Sequence, residues 1–321
     1  MISLVTTVKN ENDTINDWFS SIAGQTALPD EIILVDGGST DGTWSKLIAA
    51  GQVSNRVRVF HHLGNIAAGR NFAISQAKAE IIVVTDIGCR YDPRWFETIT
   101  APFRSGAAPC TTTAFGPWLK KDDGLVPALC ATATTPAPSE FKRDWLPSSR
   151  SVAFRKELWH TVGGYPEWLP TCEDVVFDLR IKEKTSFSYI REPFVFWRPR
   201  PTLTKYFKQL YNYTKSEGHA RLNTDRQIIR YVVYLAALCM AIMAWAVSNY
   251  WLVPLIAGLL AYMNKFWRRW TVFSRGRSLS FKILGLLLLP LVVAWGDLAK
   301  MCGWPVGTAQ LLSGRLKSCR E

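Results

Sequence analysis

Three polar side chains in the N-terminal third of the chain follow apolar, β-branched runs, at the places where strands should end. They are Asn10, Asp36 and Asp86. The carboxyl ends of parallel strands are where α/β proteins bind ligands. Carboxylates placed there can accept hydrogen bonds from a base or a ribose, or contribute oxygen ligands to a cation. Together, the three positions predict a polar ligand site at one edge of a sheet.

An acid pair, Glu173 and Asp174, follows Pro170 and opens a predicted helix over residues 173–183. A carboxylate held there could act as a general base that takes a proton from an attacking hydroxyl. Negative charge is also favoured at the start of any helix by the helix dipole. The residues alone therefore leave two interpretations open, a catalytic pair and a simple helix-terminal pair.

The string V-D-G-G-S-T-D-G-T at residues 35–43 is the most specific local pattern in the chain. Its glycines allow a ligand to approach the backbone closely, and Ser39 or Thr40 could cap the following helix. The same residues also make a good turn. The string by itself therefore does not separate a binding loop from an ordinary connection.

Predicted strands alternate with predicted helices over the first hundred residues, which is typical of an α/β fold with a parallel sheet. The predicted strands cover residues 2–8, 31–35, 57–60, 80–85 and 151–154. The predicted helices cover residues 15–22, 43–50, 70–78 and 173–183. Residues 100–150 have poor periodicity and are predicted to be a long loop region with short strands.

The net charge of +12 is concentrated after residue 200, because residues 1–200 contain equal numbers of basic and acidic side chains. A neutral N-terminal part argues against a nucleic-acid binder. Basic residues beside apolar runs indicate anionic lipid head groups instead. The seven cysteines form no C-x-x-C pair, which disfavours zinc and a disulfide framework and fits a reducing cytosol. The N-terminus does not resemble a signal peptide, so we expect a cytoplasmic catalytic part.

The C-terminal part has the composition of membrane-associated helices. Residues 231–264 contain no charged side chain, and Ser248, Asn249 and Pro254 suggest a break between two helices. A third apolar segment, 283–296, is short and contains Pro290. The alternative is that these segments are core helices of a soluble domain. The predicted organisation is an α/β domain over 1–200, an amphipathic basic and aromatic helix within 201–230, and a membrane-associated region over 231–321.

A basic segment without acidic residues separates the charge-free run from the third apolar segment, and the positive-inside tendency places it in the cytoplasm. It contains Lys265, Arg268, Arg269, Arg275, Arg277 and Lys282.

Residues 2–11 and 25–43 resemble the opening of the family 2 glycosyltransferases, and the resemblance continues through residues 69–71, 85–89 and 172–180. It implies a GT-A fold, in which a Rossmann-like α/β domain binds a nucleotide sugar. The C-terminal helices resemble those of bacterial members that are attached to the membrane. Residues 148–150 precede a predicted strand at a place where related enzymes shape the donor and acceptor pockets.

The resemblance implies donor-binding roles for Thr6, Asn10, Glu11, Asp36, Arg70 and Asp86. Asp86 would also bind a divalent metal, Mn or Mg, where the family has a D-x-D motif. Here Gly88 stands in place of the second carboxylate. His219 could complete the coordination, although a single histidine is more often a packing or surface residue.

The resemblance also implies that Asp174, with Glu173 beside it, is the catalytic base of an inverting transfer. The expected donor is a nucleotide sugar, with UDP as the default. The expected acceptor is a lipid-linked or polysaccharide hydroxyl at the cytoplasmic face of the bacterial inner membrane, with membrane lipids as further partners and no nucleic acid. A non-catalytic nucleotide-sugar-binding scaffold is the alternative. The Q-x-x-R-W string of processive synthases is absent from the sequence, which favours addition of single sugars.

Overall fold

The computed structural model describes residues 1–142 and 144–314, so Cys319, one of the seven cysteines, lies outside the described residues. The chain divides into two compact units. The first contains Met1–Trp118 and Ala137–Arg198, and the second contains Leu119–Pro136 and Pro199–Glu321. Residues 119–136, which the sequence placed within the α/β domain, are therefore grouped with the C-terminal helices.

The described part of the first unit contains one mixed sheet, in the order β3-β2-β1-β4-β7-β6-β8-β5. Its strands are β1 (Ile2–Val8), β2 (Glu31–Asp36), β3 (Val57–His61), β4 (Ile81–Thr85), β5 (Cys89–Tyr91), β6 (Cys110–Pro117), β7 (Ser151–Arg155) and β8 (Ser188–Trp197). The first four strands pair in parallel, as predicted, whereas β7 runs antiparallel to β4. The fold class is α/β, as the alternation of strands and helices indicated.

Helices cover both faces of this sheet, which explains why its central strands are apolar without alternation. They are α1 (Ile15–Ala23), α2 (Thr43–Val53), α3 (Ile66–Gln76), α4 (Trp95–Arg104), α6 (Lys156–Thr161) and α7 (Glu173–Lys184), with a 3₁₀ turn at Pro138–Glu140. Successive side chains of a strand point to opposite faces. One apolar layer accordingly contains Leu4, Leu34 and Val83, and the other contains Val5, Ile33 and Val84.

The prediction of a long loop over residues 100–150 is wrong, because α4 ends within it, β6 crosses it and a further helix, α5 (Leu125–Thr134), follows. The threonines of β6 and α5 make these two elements difficult to recognise in the sequence. The three threonines of β6, Thr111 to Thr113, are buried in the sheet. In α5, the hydroxyl of Thr132 donates to the carbonyl of Ala128 at 2.8 Å, which satisfies it within the helix.

The second unit is helical over its described residues. Besides α5 it contains α8 (Leu203–His219), α9 (Thr224–Ala246), α10 (Leu252–Phe273) and α11 (Leu279–Leu312), with a 3₁₀ turn at Asn249–Trp251. The charge-free run is broken between α9 and α10, close to the predicted Ser248 and Asn249. The predicted basic loop is partly helical, because α10 continues to Phe273. The third apolar segment is neither short nor interrupted, since α11 continues through Pro290.

Helix α11 packs very closely against α8 because it presents glycines at the contact. A Cβ atom on Gly303 would overlap the carbonyl oxygen of Tyr211, and one on Gly307 would overlap that of Lys215. Only residues without a side chain allow two helix backbones to approach so closely. The glycine positions therefore fix how these two helices meet.

Two helices, α9 and α11, are long and apolar enough to cross a membrane, judged by length and composition. Most of α9 is exposed, whereas more of α11 is buried against its neighbours. Within this unit Asp297 is buried, and its carboxylate contacts four side chains on helices α9, α10 and α11. Its carboxylate lies 3.2 Å from Arg230 Nε, 3.1 Å from Lys300 Nζ and 3.1 Å from the hydroxyl of Tyr234, and it also accepts the hydroxyl of Tyr262.

Candidate functional site

The predicted strand-end residues do come together at one edge of the sheet. Strands β2, β1 and β4 are neighbours and run in parallel, so their carboxyl ends lie side by side. Asp36 is the last residue of β2, and Asn10 and Asp86 follow β1 and β4. The loop after β1 and the loop after β2 are joined, because Asn10 Oδ1 accepts the backbone N–H of Thr40 at 2.8 Å.

One carboxylate oxygen of Asp36 is hydrogen-bonded to the backbone, and the other has no partner among the described residues. Its Oδ2 atom accepts the backbone N–H groups of Gly38 and Ser39, both at 3.0 Å. Its side chain is only 1 % exposed, and Oδ1 has no hydrogen-bond partner among the described residues. A buried acceptor without a donor is unfavourable. Oδ1 is therefore suited to accept a hydrogen bond from a ligand, such as a ribose hydroxyl or a base N–H.

Hydrogen bonds to neighbouring residues hold the segment from Thr6 to Glu11 in place. The hydroxyl of Thr6 donates to the carbonyl of Thr85 at 2.8 Å, which ties β1 to β4 inside the sheet. Asn10 adopts a left-handed backbone with φ 56°, a conformation that costs free energy in most residues and clusters at functional sites. The carboxylate of Glu11 accepts the hydroxyl of Thr14. Asn10 and Glu11 thus stand at the sheet edge, whereas Thr6 is fully buried behind it.

Arg70 links two carboxylates that are far apart in sequence. Gly69 packs so closely on Thr7 of β1 that a Cβ atom would overlap its hydroxyl, and this brings Arg70 under the sheet edge. Arg70 is 1 % exposed. Its Nη2 atom lies 2.6 Å from Asp86 Oδ1, and Nη1 is paired with Glu173 Oε1. Burial by itself lowers the pKa of Arg70, but the charges of Asp86 and Glu173 outweigh it and raise that pKa above its usual range.

Glu173 and Asp174 differ in accessibility although they are adjacent. Glu173 is 4 % exposed, and burial raises its pKa to about 7 even though Arg70 opposes this shift. Asp174 is half-buried; its Oδ1 accepts the N–H of Val175 at 2.9 Å and its Oδ2 accepts the hydroxyl of Ser148 at 3.4 Å. The pair follows Cys172, whose φ of 63° is left-handed. Only Asp174 of the pair is open enough to meet a substrate.

A divalent cation would find two carboxylates beside the Gly88 turn. Asp86 follows β4, and Glu11 Oε1 lies 4.0 Å from the point where a Cβ atom on residue 88 would stand. Across residues 1–142 and 144–314, no three His, Cys, Asp or Glu side chains are grouped as a metal site. Phosphates and waters can supply most oxygen ligands of such a cation. Asp86 and Glu11 therefore fit a cation that is bound together with the phosphates of a ligand. His219 lies in the second unit, where its Nε2 is 2.8 Å from Gln310 Oε1.

Two further residues connect the parts of the site: Tyr91, which the sequence did not single out, and Ser148, which lies in the predicted 148–150 segment. The hydroxyl of Tyr91 lies 3.2 Å from the backbone N of Asp86 and donates to the carbonyl of Arg150 at 3.0 Å. Ser148 joins Arg150 to Asp174 through its hydroxyl. Tyr91 carries no recognisable signal in the sequence, because its role depends on the pairing of distant strands.

Comparison with known proteins agrees with these observations. Residues 3–128 match the family described as glycosyl transferase family 2. A curated relative, glycosyltransferase GlyG of Streptococcus pneumoniae, is 39 % identical over 88 residues, which are 27 % of this chain and 29 % of that protein. The chain therefore matches less than a third of the length of that relative.

Solved structures extend the likeness over nearly the whole chain. Mannosyltransferase PcManGT from Pyrobaculum calidifontis, in complex with GDP-Man and Mn²⁺, superposes with a TM-score of 0.51 at 17 % identity and covers 97 % of this chain and 86 % of its own. S. aureus TarS 1–349, in complex with UDP-GlcNAc, has a TM-score of 0.49 at 15 % identity, covering 98 % and 92 %. At such identities a likeness concerns the fold alone, here a GT-A fold. Over residues 3–128, the chain is similar to glycosyl transferase family 2.

Proposed function

We propose that this chain is an inverting glycosyltransferase that moves a sugar from a nucleotide sugar to an acceptor hydroxyl. The observation that carries the proposal is the connected series Asp86–Arg70–Glu173 at the strand ends, with the half-buried carboxylate of Asp174 directly beside it. Buried ion pairs of this kind hold charged groups in fixed positions around a reaction. Asp36, at the end of β2, would supply an acceptor for the nucleoside.

The donor would bind along the ends of β1, β2 and β4. Asp36 Oδ1 would accept a hydrogen bond from the base or ribose, and Asn10 and Glu11 would border the same pocket. PcManGT forms a complex with GDP-Man, whereas UDP is the default that the family resemblance implies. Both nucleotides therefore belong in any test of the donor.

A divalent cation, Mn²⁺ or Mg²⁺, would be held by Asp86 and Glu11 together with the donor phosphates. The Mn²⁺ in the PcManGT complex supports the use of a divalent cation. When bound, the cation would supply positive charge to the leaving diphosphate. His219 stays a prediction as a further ligand.

Asp174 would act as the general base. It would take the proton of the acceptor hydroxyl while the hydroxyl oxygen forms a bond to the anomeric carbon, and the bond from that carbon to the diphosphate oxygen breaks with its electron pair. One direct displacement inverts the anomeric centre. Glu173 is already paired with Arg70, so both act as positioning residues that hold Asp86 and the start of α7.

The acceptor would be a lipid-linked or polysaccharide hydroxyl at the cytoplasmic face of the bacterial inner membrane. The apolar helices α9 and α11 support a membrane attachment. The basic residues within 265–282 support contact with anionic lipid head groups.

The test uses the full chain purified in detergent, with UDP- and GDP-sugars, Mn²⁺ or Mg²⁺, and a bacterial lipid extract. Release of nucleoside diphosphate is measured for the wild type, for Asp174→Asn and for Glu157→Gln, whose acid lies exposed in the first turn of α6. Loss of a general base slows such reactions by about 100- to 10,000-fold. We expect that loss in Asp174→Asn with donor affinity retained, and unchanged turnover in Glu157→Gln.

Each other outcome has a defined meaning. Full turnover by Asp174→Asn would refute the base assignment. Donor binding without turnover under every condition would favour the alternative, a non-catalytic nucleotide-sugar-binding scaffold. Absence of nucleotide binding by the wild type would refute the donor site itself.

A further inference from the structure

Arg150 lies beside Asp86 at the edge of the sheet. Strand β7 pairs antiparallel with β4, with Ser151 opposite Thr85. The residue before β7 and the residue after β4 therefore lie next to each other at the same sheet edge. These two residues are Arg150 and Asp86, so a guanidinium group is brought to the carboxyl ends of the parallel strands.

The guanidinium of Arg150 lies over two aromatic rings. Its Cζ atom lies 4.7 Å from the centre of the Trp197 ring and 5.6 Å from that of Phe115. Stacking on rings uses the flat faces of a guanidinium, and its N–H donors remain in the plane of the group. The two rings thus help to fix the position of the guanidinium.

One of those donors reaches the proposed base through a single hydroxyl. Arg150 Nη1 donates to Ser148 Oγ at 2.8 Å, and the same hydroxyl lies 3.4 Å from Asp174 Oδ2. Arg150 is half-buried, so part of it is open to solvent. It lies within two hydrogen bonds of the residue proposed to activate the acceptor.

A positive charge beside Asp174 would add to that of the proposed cation at the leaving diphosphate. A leaving diphosphate develops negative charge that must be stabilised. Arg70 is buried, and its two terminal nitrogens are occupied by Asp86 and Glu173. Gly88 stands where a second carboxylate would bind a cation more firmly. Arg150 is placed and accessible enough to compensate for both.

We propose that Arg150 binds a phosphate oxygen of a substrate beside Asp174, either in the diphosphate of the donor or in a phosphate group of the acceptor. The inference rests on the proposed function, since it assumes a nucleotide donor at this sheet edge. A planar guanidinium can hold two phosphate oxygens at once. Arg150 would thus fix the reacting ends of donor and acceptor relative to the base.

The test compares Arg150→Met, Arg150→Lys and the control Arg104→Gln, an exposed arginine at the end of α4. Methionine keeps an unbranched side chain between the two rings and removes the charge. Lysine keeps the charge without the planar fork. Thermal unfolding checks that each full-length, detergent-purified variant is folded.

The first arm measures the Kd of UDP and GDP, and of uridine and guanosine, by calorimetry. A charge-assisted hydrogen bond accounts for about 10-fold or more in affinity. If the phosphate belongs to the donor, the Kd for the diphosphate rises by at least that factor in Arg150→Met and less in Arg150→Lys. The Kd for the nucleoside stays unchanged.

The second arm measures binding of dihexanoyl phosphatidic acid, a soluble lipid phosphate, to protein saturated with the nucleoside diphosphate. A loss of the same size here, with diphosphate affinity intact, assigns the phosphate to the acceptor. Wild-type affinity of both Arg150 variants in both arms would overturn the inference while leaving the proposed function intact. Failure of the wild type to bind any nucleotide would instead refute the proposed function.

Discussion

Replacement of Arg70 by methionine should destabilise the α/β unit strongly. The change removes the guanidinium group that forms ion pairs with both Asp86 and Glu173, and Glu173 is almost fully buried. Removing one partner of a buried ion pair typically costs about 3–5 kcal/mol, because the remaining charge is left uncompensated. We expect a loss of this size in the free energy of unfolding at pH 8, measured by urea titration of tryptophan fluorescence.

The pH dependence distinguishes this cause from a simple packing defect. In the wild type the pKa of Glu173 is raised from 4.5 to about 7. Between these values the unfolded chain releases a proton that the folded protein retains, so stability falls by about 1.4 kcal/mol per pH unit and then levels off above pH 7. Without Arg70 the folded pKa should rise further, because the opposing charge is gone. Stability of Arg70→Met should therefore keep falling above pH 7.

The matched control is the double variant Arg70→Met/Glu173→Gln, which has no carboxyl group to titrate at that position. It should lose the continued fall above pH 7 and recover part of the lost stability. If Arg70→Met levels off at pH 7 like the wild type, or if the double variant retains the slope, Glu173 is not the group responsible and the reasoning fails.

Three shorter predictions concern other parts of the chain. Asp178 is fully buried, and neither of its carboxylate oxygens has a hydrogen-bond partner among the described residues. Burial raises its pKa well above the usual value. The stability of Asp178→Asn in urea unfolding should therefore match that of the wild type near pH 4 and exceed it at pH 8. Gly307→Ala should destabilise the helical unit by about 1–3 kcal/mol through overlap with Lys215, whereas Gly258→Ala, which meets no neighbouring atom, should be neutral or slightly stabilising in thermal unfolding. Asp36→Asn should raise the Kd for the nucleoside by about 10-fold or more in calorimetry, and an unchanged Kd would remove Asp36 from the donor site.

The sequence predicted the elements whose residue types agree with their surroundings. Apolar, β-branched runs marked β1 to β4, and the polar residues after them marked the sheet edge. Strand β6 and helix α5 were missed because their sequences lack a clear apolar periodicity, and only the structure shows that the hydroxyls of Thr112 and Thr132 have buried partners. Helix α11 was predicted too short because Pro290 normally ends a helix, and its packing on α8 is visible only in three dimensions.

The sequence indicated which polar residues follow the strands, but not how they are arranged at the sheet edge. Glu173 and Asp174 are equivalent in sequence, and only the structure shows one buried against Arg70 and the other open. Arg150 lies beside Asp86 because two strands of distant sequence pair antiparallel. Such a long-range pairing leaves no local pattern in the chain.

The buried carboxylate of Asp297 has a consequence for how the polypeptide is made. Its partners Arg230, Tyr234 and Tyr262 lie on α9 and α10, which are synthesised before α11 supplies the acid. A chain that stops before α11 lacks the carboxylate that pairs with Arg230, whose side chain is only 19 % exposed in the full structure, and loss of one partner of such a pair is destabilising. Its half-life in a pulse-chase experiment should therefore be shorter than that of the full chain, and equal half-lives would contradict this reasoning. We therefore expect survival of the newly made protein to depend on the synthesis of α11.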